Sequence, residues 1–112
     1  MALHTLFFEF KAENPKSIPV EWSHYGVTGS GDLEVLMERE ELGGKVKAKV
    51  VTPVSGFENV WKMVLDKFVR DFGIGNVFIE INDDNATPIV VYMRLRQSLI
   101  EAGFIKDKEK RL

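Results

Sequence analysis

The chain has 112 residues, of which 45% are hydrophobic and 29% charged, a balance typical of one globular domain that buries a core. Its net charge of -2 argues against a nucleic acid as the main partner, because neutralising phosphates requires concentrated basic residues. The sequence has no cysteine, which excludes disulfides and thiolate metal sites. It also has no apolar run long enough to span a bilayer and no recognisable signal peptide, which predicts a cytoplasmic protein without a membrane partner.

The N-terminal part predicts a strand followed by a loop. Leu3–Phe10 alternates apolar with other side chains, and Phe7 gives its second face some apolar character, as in an internal or covered strand. Residues 11–23 contain Asn-Pro and Ile-Pro pairs, which favour a loop, and Trp22 and Tyr25 are expected to hold that loop in place.

Two further strands are predicted next, at Val27–Glu38 and Lys45–Thr52, because both segments alternate apolar and polar residues. The residues between them form a charged turn that ends in two glycines. The two strands are therefore expected to pair as an antiparallel hairpin.

A first helix is predicted from an apolar stripe at helical spacing, and the whole stripe is expected to be buried. Ser55 and Glu58 have the spacing of a capping box at its start, and Gly73 supplies its stop. The members of the stripe are Phe57, Val60, Trp61, Val64, Leu65, Phe68, Val69 and Phe72.

The C-terminal part predicts a last strand at Asn76–Asn82, a turn and a second helix. Thr87 and Pro88 begin this helix as its N-cap and first-turn proline, and Gly103 ends it. Residues 104–112 are expected to be a polar tail of a single domain that spans residues 1–112.

The predicted order is therefore βββαβα. Because each helix has one apolar stripe, both are expected to cover the same face of one sheet. The predicted fold class is α+β, a two-layer sandwich of about four mainly antiparallel strands and two helices.

A serine between two glycines stands where the second predicted strand begins. Gly29 and Gly31 leave the Ser30 hydroxyl uncrowded, and the strand that follows anchors the loop. This arrangement suits a hydroxyl that another enzyme must reach and modify, although Gly-Ser-Gly is also a common bend before a strand.

The stretch Gly29-Ser30-Gly31-Asp32-Leu33-Glu34-Val35 resembles the prosthetic-group attachment site of the malonate decarboxylase acyl carrier family, the delta subunit of that complex. A second stretch, Ile81–Pro88, resembles the Asp-x-Gly-Ala-Thr-Pro turn of that family, with Asn85 where glycine is usual. Since asparagine tolerates the left-handed conformation, the turn is expected to be preserved.

The resemblance implies that Ser30 carries 2′-(5″-phosphoribosyl)-3′-dephospho-coenzyme A as a phosphodiester, with Gly29, Gly31 and Asp32 shaping the loop around it. The terminal thiol of this arm would hold acetyl and malonyl thioesters in turn. The implied partners are the transferase and decarboxylase subunits and an arm-attaching transferase, and the chain itself would have no catalytic or metal-binding residue.

The acidic residues near both motifs have two interpretations. Asp32 and Glu34 are either solvated strand carboxylates or an acidic surface, and in the second case Asp32 is hypothesised to hold magnesium or a basic partner during arm transfer. Asp83, Ala86 and Pro88 are either turn residues or a candidate docking turn that lies beside the Ser30 loop.

Three alternatives stay open. The citrate lyase carrier uses the same arm, a small binding or regulatory domain would carry no arm, and a serine hydrolase would need a base. His4 and His24 have no recognisable partner in the sequence and no metal-ligand spacing.

Overall fold

The computed structural model describes residues 3–106, which form one mixed sheet of five strands with two helices packed on it. The sheet order is β1-β4-β5-β3-β2. The elements in chain order are β1 (His4–Lys11), β2 (Trp22–Gly26), β3 (Asp32–Arg39), β4 (Lys45–Thr52), α1 (Glu58–Phe72), β5 (Val77–Asp84) and α2 (Pro88–Glu101). The predicted α+β two-layer class is confirmed, with five strands instead of four.

The core lies between the helices and one face of the sheet. The inward residues of β3, β4 and β5 are fully buried and alternate with exposed or half-buried ones, as expected for a sheet that is covered on one side. Trp61, Leu65 and Phe68 of α1 and Leu95 and Leu99 of α2 close the core from the helical side. Neither helix is long and apolar enough to cross a membrane.

The predicted hairpin between the strands at Val27–Glu38 and Lys45–Thr52 is wrong. β5 lies between β3 and β4 and pairs antiparallel with β3 and parallel with β4. The unit β4-α1-β5 is a parallel crossover, in which α1 carries the chain back across the sheet to start β5. β5, the strand after α1, therefore occupies the position beside β3 that the predicted hairpin assigned to β4.

β2 falls in and beyond the segment predicted as a loop, and β3 begins at Asp32 instead of Val27. The inward position of β2 holds Ser23, which is buried, so the strand lacks the apolar alternation that would have revealed it. Trp22 lies on β2 with 63% of its surface exposed, and the loop is held by the buried Ile18. Trp22 and Tyr25 are thus strand residues, not anchors of the loop.

Three smaller predictions are also corrected. β1 is an edge strand whose Phe7 is 70% exposed, not an internal or covered strand. Phe57 is the N-cap of α1 and 50% exposed, and no side chain caps that helix, so neither its predicted burial nor the capping box forms. Phe104 and Ile105 pack against the core, which places them outside a polar tail; residues 107–112 lie outside the described residues.

The predicted helix boundaries otherwise hold. Gly73 ends α1 in the left-handed conformation, with φ of 64°, and its amide donates to the Val69 carbonyl. The Thr87 hydroxyl accepts a hydrogen bond from the Val90 amide, and Pro88 is the first residue of α2. Both helices therefore begin at the sheet edge where β4 and β5 end.

Candidate functional site

Ser30 occupies the tip of a tight turn between β2 and β3. The Asp32 amide donates to the Gly29 carbonyl at 2.9 Å, which closes a four-residue turn. Gly31, the third residue, has φ of 74°, whereas Ser30 has no positive φ. Among the standard turns this combination fits type II, which requires glycine or asparagine at the third position.

The Ser30 hydroxyl is open to approach. The residue is exposed, and its hydroxyl makes no hydrogen bond within residues 3–106. A Cβ atom added at Gly29 or Gly31 would meet nothing within 4 Å, so the space on both sides of the serine is empty. The turn therefore exposes the Ser30 hydroxyl and makes no hydrogen bond to it.

The two sequence motifs meet at one edge of the sheet. Asp32 pairs in register with Asp84, and the Gly31 amide donates to the Asp84 carbonyl at 2.7 Å. Since β3 runs antiparallel to β5 and β4 runs parallel to it, the start of β3 and the ends of β4 and β5 lie at the same edge. The Asp83–Pro88 turn therefore lies beside the Ser30 loop.

Asp32 is bound by an arginine from α2. Arg94 donates from Nε to one Asp32 carboxylate oxygen at 2.8 Å and from Nη2 to the other at 2.9 Å, and the two side chains are about a quarter exposed. The Arg94 bonds, followed by the Leu33 amide, lower the pKa of Asp32, and the pKa of Arg94 is raised mainly by its bond to Asp32.

This pairing bears on the magnesium hypothesis, which stays a prediction. Each Asp32 oxygen accepts a hydrogen bond from Arg94, so a cation would have to share the carboxylate with the guanidinium, and the negative charge that would repel a phosphate is screened. Within residues 3–106, no group of three His, Cys, Asp or Glu side chains has the arrangement of a metal site. Nothing in the sequence marks Arg94 as the partner, because it lies 62 residues away.

Glu34 is also paired, not solvated. Its carboxylate accepts from Asn82 Nδ2 and contacts His24 Nε2, each at 2.9 Å. The His24 contact, and after it the Asn82 bond, lower the pKa of Glu34. His24 thus has a carboxylate partner that the sequence did not reveal, but Ser30 makes no hydrogen bond to it, and the described residues contain no hydrolase triad.

The Asp83 side chain stabilises the neighbouring turn by accepting hydrogen bonds. It is buried, and its carboxylate accepts from the Thr52 hydroxyl at 2.8 Å and from the Asn85 and Ala86 amides. Asn85 adopts the predicted left-handed conformation, with φ of 67°. Of the candidate docking residues, Pro88 is exposed and Ala86 half-buried, whereas Asp83 faces inward.

A cavity of about 330 Å³ opens behind this turn, between the first turns of α1 and α2. Its walls are mainly apolar and come from the end of β4, from α1, from the turn and from α2. The lining residues are Thr52, Val54, Phe57, Val60, Trp61, Val64, Asp83, Asn85, Ala86, Thr87, Pro88 and Val91.

Comparison with known proteins decides the family. The sequence profile of the malonate decarboxylase delta subunit, an acyl carrier protein, matches residues 21–102. The chain belongs to this family. The predicted resemblance is thereby confirmed, and the matched range contains both the Ser30 loop and the Asp83–Pro88 turn.

Relatives of the family agree over nearly the whole chain. A malonate decarboxylase acyl carrier protein of Malonomonas rubra is 56% identical over 100 residues, covering 89% of each chain. The protein of the same name from Xanthomonas campestris pv. campestris is 40% identical over 97 residues, covering 87% of this chain and 92% of the relative. These names favour the malonate interpretation over that of a citrate lyase carrier.

A solved structure has the same fold. One chain in the crystal structure of a Pseudomonas malonate decarboxylase hetero-tetramer in complex with malonate superimposes with a TM-score of 0.75 at 38% identity. The match covers 89% of this chain and 99% of that one. The family fold therefore occurs within a multi-subunit decarboxylase.

Proposed function

We propose that this chain is the acyl carrier subunit of a malonate decarboxylase and that Ser30 carries 2′-(5″-phosphoribosyl)-3′-dephospho-coenzyme A through a phosphodiester. The observation that supports the attachment point is the exposed Ser30 hydroxyl at the tip of a turn, where no atom of the described residues 3–106 hydrogen-bonds it or crowds the two flanking glycines. A hydroxyl in this state is accessible to a transferase, on which the serine oxygen would form a bond to phosphorus while the donor's leaving group departs from that phosphorus and the hydroxyl proton passes to a base of the transferase.

The residues around Ser30 fit the group. Gly31 allows the turn that holds the hydroxyl outward, and Arg94 screens the Asp32 carboxylate that would otherwise face a phosphate. When bound, the arm supplies a terminal thiol for acyl groups. The domain contributes a rigid tether, which raises the concentration of the acyl group at partner active sites.

The chain acts as a non-catalytic carrier. Its partners are the transferase and decarboxylase subunits of the complex and a separate enzyme that attaches the arm. Support for an assembly comes from the hetero-tetramer that contains the structural neighbour. Within residues 3–106 no side chain hydrogen-bonds the Ser30 hydroxyl as a catalytic base would, which supports a carrier over a serine hydrolase.

A reconstitution experiment tests this function. The partner subunits are mixed with malonate and with the arm-loaded chain, the unloaded chain or the Ser30→Ala chain, and release of carbon dioxide is measured. Only the arm-loaded chain is expected to support decarboxylation. Thr28→Ala removes a hydroxyl from the same loop and is expected to behave as the wild type does. Turnover with the unloaded chain or with Ser30→Ala would contradict the proposal.

A further inference from the structure

We infer that the cavity between α1 and α2 takes the thiol end of the Ser30 arm while no partner subunit holds that arm. This inference rests on the proposed function, since it requires an arm at Ser30. The chain would then have a second role: it would bind the thiol end of the arm in the cavity as well as tether the arm at Ser30.

The size and lining of the cavity suit a small molecule. A volume of about 330 Å³ falls at the lower end of the usual range for small-molecule sites, roughly 300–1,000 Å³. The walls are mainly the apolar side chains of Val60, Trp61, Val64 and Val91. Such a lining gains free energy by burying hydrocarbon, and the polar residues in it, Thr52, Asp83, Asn85 and Thr87, include no cation that would pair with an anion.

An uncovered aromatic side chain lies at the cavity. Phe57 belongs to the apolar stripe of α1 and lines the cavity, yet half of its surface is exposed. The rest of the stripe is buried or half-buried. An apolar ligand entering the cavity would cover the surface that the fold leaves open at Phe57.

The cavity lies within reach of Ser30. The Gly31 amide is 2.7 Å from the Asp84 carbonyl, and Ala86 of the cavity wall follows two residues later. Adding these steps places Ser30 and Ala86 within about 15 Å of each other, and the pantetheine part alone, with about a dozen bonds, extends roughly as far. The sugars and phosphates add further length, so the arm can fold back.

Charge selects which end of the arm the cavity accepts. None of the lining residues carries a positive charge, and the one charged side chain is the Asp83 carboxylate. That carboxylate is already satisfied by Thr52 and two backbone amides and offers no donor. A free thiol or an acetyl group fits these walls, whereas an acyl group ending in a carboxylate would exchange its hydration for at most the neutral donors of Asn85 and Thr87, beside the Asp83 carboxylate and with no cation in the lining.

Thiol reactivity tests the inference on the arm-loaded protein, after intact mass has shown that the arm is present. We expect N-ethylmaleimide to alkylate the arm about tenfold more slowly than free coenzyme A, which corresponds to an arm that spends roughly 90% of the time in the cavity. Val64→Phe fills the cavity and should restore the free rate. Met63→Phe adds the same bulk on the exposed side of α1, outside the lining, and should not change it.

A second measurement needs no cavity-filling variant. In a Trp22→Phe background, Trp61 is the single tryptophan and reports from the cavity wall. Its emission is expected to differ between the Ser30→Ala protein and the arm-loaded protein with a free thiol or an acetyl group. The malonyl-loaded protein should resemble the Ser30→Ala protein.

The outcomes separate the two proposals. If the arm is present but is alkylated at the rate of free coenzyme A and the Trp61 emission does not change, binding of the thiol end in the cavity is refuted and the carrier function stands. If a transferase that is active on a known carrier attaches no arm, the carrier function is refuted, and binding of the arm in the cavity is refuted as well.

Discussion

Glycine has two different roles on the two sides of Ser30. Gly31 has a positive φ that the turn requires, whereas Gly29 has no positive φ and open space around it. The fold therefore needs a glycine at position 31 but not at position 29. At position 29 we expect the small residue to matter for what approaches Ser30 from outside.

A matched pair of substitutions checks this difference. Gly31→Ala is expected to lower the free energy of unfolding by about 1–2 kcal/mol, because alanine is strained in the left-handed region. Gly29→Ala is expected to change it by less than about 0.5 kcal/mol and yet to slow attachment of the arm, because its methyl group enters the space beside the hydroxyl. Urea unfolding and the time course of the mass gain measure the two effects. Equal destabilisation by both substitutions would contradict this division.

The Asp32–Arg94 pair makes stability depend on pH in a defined direction. The pKa of Asp32 is lowered in the folded protein, so the pair stabilises the fold above the unfolded pKa of about 4, and this contribution disappears as the pH falls through the folded value. Asp32→Asn is expected to cost about 0.5–1 kcal/mol at pH 7 and less at pH 3. Urea unfolding at the two pH values measures this.

A neighbouring carboxylate provides the control. Asp84 faces Asp32 in register and has no ion pair within residues 3–106, so Asp84→Asn should show no comparable loss of stability at pH 7. A cost of Asp32→Asn that stays the same from pH 7 to pH 3 would contradict the assignment to the Arg94 pair.

The sequence indicates Ser30 and its glycines because their chemistry is local, and it cannot indicate the state of Asp32 because its partner is remote. Arg94 is one of several basic residues, and only the packing of α2 brings it to β3. The same holds for His24, whose partner Glu34 becomes its neighbour through the pairing of β2 with β3. Whether a charged side chain is paired or solvated thus cannot be predicted from the sequence when its partner is brought near only by the fold.

At the scale of elements, Asp83 joins the end of β4 to the turn before α2. Its carboxylate accepts hydrogen bonds from Thr52 of β4 and from the Asn85 and Ala86 amides of the turn. The turn is therefore held in shape by a buried acceptor. Its exposed residues, Pro88 among them, are the part that a partner could contact, and their role in docking stays a prediction.

Removal of this acceptor tests the structural role. Asp83→Ala leaves the Thr52 hydroxyl and two amides without their partner and is expected to lower the free energy of unfolding by about 2–4 kcal/mol. Thr52→Val removes one of the three donors and should cost less. Chemical denaturation of both variants measures the difference. A fully stable Asp83→Ala protein would show that the turn is held by other contacts.

The types of most elements follow from the sequence, but their pairing does not. Periodicity indicates four of the strands and both helices because each has a regular apolar face. It misses β2, whose inward residue is a serine, and it misplaces β5, because a short turn between β3 and β4 suggested a local pairing. The helix between β4 and β5 is the signal for a parallel crossover, and it outweighs the short turn.

At the scale of the whole molecule, the Ser30 loop is separate from the core. Ser30 is exposed and makes no hydrogen bond within residues 3–106, while the core lies between the sheet and the two helices. The fold can thus be rigid while the loop is free for modification. A carrier requires this separation, because the same domain must be recognised with and without its arm.

The stability of the fold should therefore not depend on the Ser30 hydroxyl. The Ser30→Ala protein is expected to have the same free energy of unfolding as the unmodified wild type, within about 0.5 kcal/mol. Thermal and urea unfolding of the two proteins measure this directly. A clear loss of stability in Ser30→Ala would mean that the hydroxyl serves the fold, which would weaken its assignment as an attachment point.

Intact mass shows whether Ser30 carries the covalent arm. The chain is produced together with the arm synthase and its attaching transferase, and its mass is measured and then mapped by peptide. We expect a mass gain equal to the phosphoribosyl-dephospho-coenzyme A group, located at Ser30 and absent in Ser30→Ala. An unmodified Ser30, with a transferase shown to be active on a known carrier, would contradict it.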